Sequence, residues 1–109
     1  MDIHELTEAM NAFVQSQGWY EPESRRPQTL RNLAISLSLE AAEVLELFQW
    51  NETSDPDRVA LGEELADVAL YTLQIASLAH INLEQAILDK LRRNYDRTWD
   101  QSSGSTSHP

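Results

Sequence analysis

Four carboxylates at helical spacing are the side chains best suited to chemistry: Glu40 with Glu43, and Glu64 with Asp67. Members of each pair are three residues apart, which sets them one turn from each other on the same helix face. On a wheel of about 100° per residue, Glu64 falls in line with Leu61, Val68, Tyr71, Ile75 and Leu78. A carboxylate inside an apolar stripe is costly to desolvate unless it is paired or bound to a cation. Four carboxylates outnumber the cationic side chains nearby in sequence, and a divalent ion is the simplest relief of their mutual repulsion. A ligand set made only of oxygen favours Mg²⁺, with Mn²⁺ as a substitute, over Zn²⁺ or Cu²⁺. Di-iron bundles also gather carboxylates, but through Glu-x-x-His, and no glutamate lies three residues before His4, His80 or His108. None of those histidines is given a role.

Helices must position these groups, because the chain shows no strand-like alternation and no internal repeat. The first helix is predicted over residues 2–17, stopped by Gly18. A loop with Pro22 and Pro27 leads to a second helix over 29–50. The third is expected to open at Asp55-Pro56, a cap followed by a favoured first residue, and to run to 79. The fourth starts at Asn82, where Gln85 completes the pattern of a capping box, and runs to 99. The fold class is therefore all-α, a four-helix bundle-like domain over 1–100 with a disordered tail over 101–109.

The second helix carries two apolar sides. Leu30, Leu33, Ala34, Leu37, Ala41, Val44, Leu45 and Phe48 lie within about 60° of one direction, while Ile35, Leu39, Leu47 and Trp50 lie off it. A helix apolar on two sides is usually buried on both. In a chain of 109 residues the second cover is expected to be another copy, giving a dimer or a dimer of dimers.

Composition removes several classes. The formal charge is −10, from 18 acidic and 8 basic residues, so a nucleic-acid polymer is not an expected partner. The basic residues gather in two small groups, Arg25, Arg26 and Arg31, and Lys90, Arg92, Arg93 and Arg97, which suit a small anionic ligand. Cysteine is absent, which excludes disulfides and thiolate metal sites and suits a cytoplasmic location. No run approaches 18 apolar residues and no secretory leader is visible, so a membrane is not expected as a partner.

A family resemblance rests on three segments. The run from Leu33 through Ser38-Leu39-Glu40-Ala41-Ala42-Glu43, followed by Leu47-Phe48-Gln49-Trp50, strongly resembles the MazG-like all-α nucleotide pyrophosphohydrolases. So do Glu63-Glu64-Leu65-Ala66-Asp67-Val68 with Tyr71, and Lys90-Leu91-Arg92-Arg93-Asn94. The Phe-Gln-Trp ending is most similar to the branch containing dCTP pyrophosphatases and small single-domain MazG-like proteins. Where related members often carry a histidine before the proline ahead of the second helix, this chain has Arg25-Arg26-Pro27.

The resemblance implies Mg²⁺-dependent hydrolysis of a nucleoside triphosphate to the monophosphate and pyrophosphate, in nucleotide-pool house-cleaning, with dCTP the substrate that the branch suggests. It implies that Glu40, Glu43, Glu64 and Asp67 hold the metal, that Lys90 and Asn94 contact phosphate or sugar, and that these carboxylates together with Lys90, which stabilises the leaving pyrophosphate, are the catalytic residues. Asn32 joins the nucleotide-binding candidates, and Trp19, Trp50 and Tyr71 are the aromatic candidates for stacking on the base. Glu63 either orients water or is an ordinary exposed glutamate. The residues alone leave two other readings open: a non-catalytic helical dimerisation module with a structural or nucleotide-sensing ion, and hydrolysis of a non-nucleotide diphosphate.

Overall fold

The computed structural model describes residues 1–50 and 57–97. These form four α-helices, α1 (Ile3–Ser16), α2 (Leu30–Glu46), α3 (Arg58–Leu78) and α4 (Leu83–Asp96), and no strand is found among the described residues. No described helix is long and apolar enough to cross a membrane.

Side-chain caps set most of the boundaries. Asp2 and Glu5 form a reciprocal capping box, the Asp2 carboxylate accepting from the Glu5 amide at 2.8 Å and Glu5 Oε1 accepting from the Asp2 amide at 3.1 Å. Thr29 caps α2 and Asp57 caps α3, accepting from the amides of Asn32 and Val59. The start expected for the third helix at Asp55-Pro56 lies outside the described residues. So do residues 98–99, where the fourth helix is expected to end, and the expected tail over 101–109. Asn82 caps α4 as expected, but the box is not closed: the Gln85 amide side chain donates forward to Asp89 Oδ1 at 2.9 Å. An acidic partner one turn ahead competes successfully with the backbone amide behind.

The second helix ends earlier than its apolar pattern suggests. After Glu46 the backbone tightens, with Leu47, Phe48 and Gln49 donating to carbonyls three residues back, so Trp50 stands on a turn. Helices α1 and α3 end in the same device. Gly18 (φ 74°) and His80 (φ 58°) take the left-handed conformation. The amides of Gly18 and Trp19 close on the carbonyls of Gln15 and Val14, and those of His80 and Ile81 on Ser77 and Ala76. Glycine tolerates this backbone and histidine is strained by it. His80→Gly is therefore expected to stabilise the fold by about 0.5–1 kcal/mol, since His80 is exposed. A thermal melt should show a rise of about 3–5 °C, and an unchanged or lowered midpoint would remove the strain argument.

The core is small. Met10, Val14 and Leu73 form its centre, with Ile3, Trp19, Tyr20 and Leu83 packed on them, so α1 and α3 join at one end and the start of α4 is pinned there. Helices α2 and α3 make the most extensive pairing. They run antiparallel: Gln28, just ahead of α2, bonds Gln74 near the end of α3, while Glu43 bonds Glu64 nearer its start. Of the stripe expected on α2, only Leu33 is fully buried, with Leu37 and Val44 half-buried. Leu45 (70% exposed), Ala34 and Ala41 face outward instead, while Leu47, placed off the stripe, is half-buried. On the other side Leu39 is 63% exposed. Among the described residues α2 packs extensively on α3 alone, which is why so much of it stays uncovered.

Candidate metal centre and adjoining cavity

Antiparallel packing of α2 on α3 brings Glu40 and Glu43 opposite Glu64. One carboxylate oxygen from each lies within 4.8 Å of the others. One oxygen of Glu40 and one of Glu64 are buried without a hydrogen-bond partner among the described residues. Buried acceptors left unpaired are unfavourable unless a cation or a water meets them.

Protons are unevenly shared among the three groups. The Glu64 carboxyl is pushed up to about 7, first by its hydrogen bond to Glu43, then by burial and by the charges of Glu43, Glu40 and Asp67. Glu40 is raised for the same reasons, again led by the bond to Glu43. Glu43 accepts from both and is held below the usual carboxylate range. Without a cation, then, the cluster relieves its own repulsion by protonation. Asp67 is one turn further along α3. It lies outside the tight group, yet its charge raises both Glu40 and Glu64.

Asp67 also lines a cavity of about 830 Å³ that reaches to the α1–α2 loop; Glu40, Glu43 and Glu64 are not among its lining residues. Trp19, Asn32 and Tyr71 line it too. The left-handed turn at Gly18 aims Trp19 inward, where its ring meets Phe13 edge-on at 5.8 Å and Arg26 lies over its face at 5.5 Å. Asn32 donates to the Pro27 carbonyl at 3.0 Å and so ties the loop to α2. Trp50 (88% exposed), Lys90 and Asn94 are not among the lining residues. Lys90 and Asn94 share a face of α4; Asn94 Oδ1 is buried with no partner among the described residues. Glu63 is exposed.

Sequence reasoning passed over one lining residue, Gln74, which is 3% exposed. Its signal was position: Glu64, Asp67, Tyr71 and Gln74 follow at intervals of three, four and three, a single stripe along α3.

The fold and the site together define an all-α protein with a carboxylate centre between two antiparallel helices, and a cavity one helical turn further along α3 at Asp67. The MazG-like family profile matches residues 35–107, and the chain belongs to that family. Mouse dCTP pyrophosphatase 1 is 39% identical over 75 residues, covering 62% of this chain and 44% of the mouse protein. The human dCTP pyrophosphatase 1 is 37% identical over 84 residues, covering 67% and 49%. The chain thus spans less than half the length of the curated relatives it matches. A solved pyrophosphatase from Archaeoglobus fulgidus superposes with a TM-score of 0.71 at 36% identity, covering 84% of this chain and 86% of that one. A match of that breadth takes in most of the helical frame that holds the carboxylates.

Proposed function

We propose that this chain hydrolyses a nucleoside triphosphate to the monophosphate and pyrophosphate in the cytoplasm, as a nucleotide-pool house-cleaning enzyme, with Mg²⁺ held by Glu40, Glu43, Glu64 and Asp67. The observation that carries this is the pair of buried, unpartnered oxygens on Glu40 and Glu64 inside a three-carboxylate cluster, one helical turn from Asp67 in the wall of a cavity of about 830 Å³. Similarity to dCTP pyrophosphatases and to an archaeal pyrophosphatase supports the reaction, and makes dCTP the first substrate to try. An all-oxygen site suits Mg²⁺ best, with Mn²⁺ able to replace it.

When bound, the ion would neutralise charge on the phosphate oxygens and ease loss of a proton from the attacking water. Attack in line on the α-phosphorus forms the new P–O bond as the bond to the bridging oxygen breaks, and pyrophosphate leaves. Glu43, whose carboxyl is held below the usual range, would anchor the ion, and Glu64, whose carboxyl is pushed up to about 7, would give up its proton as the ion binds. Asp67 stands where the cluster meets the cavity, next to the α-phosphate of a nucleotide whose base lies further in. Trp19 and Tyr71 offer faces for stacking, and Asn32 holds the wall of the cavity in place.

Self-association belongs to the same reading. The outward face of α2, with Leu39 and Leu45 largely exposed, is covered in a dimer or dimer of dimers. Lys90, Asn94 and Trp50 lie off the cavity of their own chain, and such an assembly is how they retain a place at the nucleotide.

Incubation with each common dNTP and NTP plus Mg²⁺ should release pyrophosphate and the monophosphate from at least one of them. Orthophosphate release, or no turnover across the panel, defeats the reaction. If Mg²⁺ stabilises the fold but a non-hydrolysable nucleotide adds nothing, the module with a structural ion is the better reading.

A further inference from the structure

Among the described residues that line the cavity, Gln74 is the one polar side chain that is fully buried, and Gln28 and Arg26 line the wall beside it. A buried amide has a fixed orientation only if its partners fix it, and here they do. The Gln28 Nε2 donates to the Arg26 backbone carbonyl at 2.6 Å, an atom that can only accept. That turns Gln28 Oε1 towards Gln74, which must answer with its own Nε2, at 2.6 Å. Tyr20 stands near Gln74, its hydroxyl raised above its ordinary value by burial and lowered in part by the Gln74 amide. Tyr20 in turn donates to Asn11 Oδ1 at 2.5 Å, and Asn11 donates to Ser77 at 2.9 Å.

The Gln74 amide nitrogen is thereby fixed as the donor to Gln28. What remains is its carbonyl oxygen, which has no donor among the described residues and belongs to a side chain lining the cavity. Flipping the amide would set its oxygen against Gln28 Oε1, and Gln28 cannot follow without facing the Arg26 carbonyl with an acceptor. The site is locked as an acceptor.

Asp67 and Gln74 are seven residues apart on one face of α3, about 10 Å along the axis. Asp67, Tyr71 and Gln74 line one cavity, and a nucleotide seated with its phosphate beside Asp67 would have the length to bring its base to Gln74.

We propose that Gln74 is a specificity-determining residue whose carbonyl oxygen accepts a hydrogen bond from the exocyclic amine of the base, selecting amino bases over their keto counterparts. This rests on the nucleotide reading above. Cytosine and adenine present the amine; uracil, thymine and guanine present an oxygen at the matching position. Two acceptors facing each other in a desolvated cavity leave both unpaired, which disfavours the keto base by about 10- to 100-fold.

The first test needs no variant. The 2-pyrimidinone deoxynucleoside triphosphate is dCTP without its amine, and kcat/KM for it and for dUTP should fall about 10- to 100-fold below that for dCTP. In Gln74→Met, which keeps shape and removes the acceptor, those ratios should collapse towards one. A purely structural role for Gln74 would lower activity on all three substrates alike and leave the ratios in place, and that result overturns the proposal, as do wild-type ratios near one. Should no triphosphate be hydrolysed, the reaction fails on its own account. The selectivity is then read by calorimetry with α,β-methylene dCTP and dUTP: tighter binding of the cytosine analogue sustains it, and equal or absent binding ends it.

Discussion

Replacing Glu64 by Gln is expected to eliminate measurable pyrophosphate release while leaving a folded helical protein. The substitution keeps the shape of the side chain and its helix preference, so α3 has no local reason to change. It removes the charge that one wall of the centre contributes, and with it one anionic ligand. Removing a hydrogen-bond partner behind a metal ligand already costs 10- to 100-fold in affinity or activity, so loss of a ligand should cost about 100-fold or more. A second readout separates metal loss from misfolding. Because the Glu64 carboxyl titrates at about 7, the wild-type cluster at pH 8 without metal carries a charge that the neutral Gln variant does not. The variant should therefore melt no lower than wild type in chelator at pH 8, yet gain little from added Mg²⁺. Undiminished turnover would take Glu64 out of the centre, and a lowered melt in chelator would mean that its role is structural.

How much of this could be read in the sequence depended on what each signal encodes. Caps and stops are local, and Asp2, Thr29, Gly18 and Asn82 act where their residue types say they should. The Gln85 side chain did not, because Asp89 offered it a charged acceptor one turn ahead. Periodicity located α2 and α3 and put carboxylates on the faces where they meet, since acids one turn apart among apolar residues are tolerated only where a cation or a proton offsets their charge. It could not say which flank of α2 meets α3. Leu45 and Leu47 point about 160° apart on the wheel, and packing covered Leu47 and left Leu45 outside. Nor could spacing within one helix fix the distance between helices. That is why three carboxylates converge tightly and Asp67 turns towards the cavity. The acceptor at Gln74 was out of reach, because its orientation depends on a loop carbonyl 48 residues earlier in the chain.

The metal-free protein is expected to lose stability as the pH rises from about 4.5 towards about 7, and Mg²⁺ is expected to restore it only at the upper end. Glu64 and Glu40 have their pKa values raised on folding, so the folded state binds their protons more tightly than the unfolded chain does. The stabilisation they give is complete below the ordinary carboxylate value of 4.5 and is lost as the pH climbs through the folded value, about 7 for Glu64. Glu43 has the opposite sign: its lowered pKa adds stability above 4.5, which is lost only in more acid solution. Within the window of interest, Glu40 and Glu64 therefore decide the slope, and the three protons titrate as a group. A cation competes with those protons. Binding must release them, so the rise in melting temperature on adding Mg²⁺ should be small at pH 5.5 and large at pH 8. Melts followed by circular dichroism across pH 5–8, in chelator and in Mg²⁺, would trace both curves, and Glu64→Gln should flatten the chelator curve by removing its largest contributor. Equal Mg²⁺ increments at pH 5.5 and pH 8 would mean that the ion binds elsewhere, since carboxylates that share protons this strongly cannot hold a divalent cation equally well on both sides of their titration.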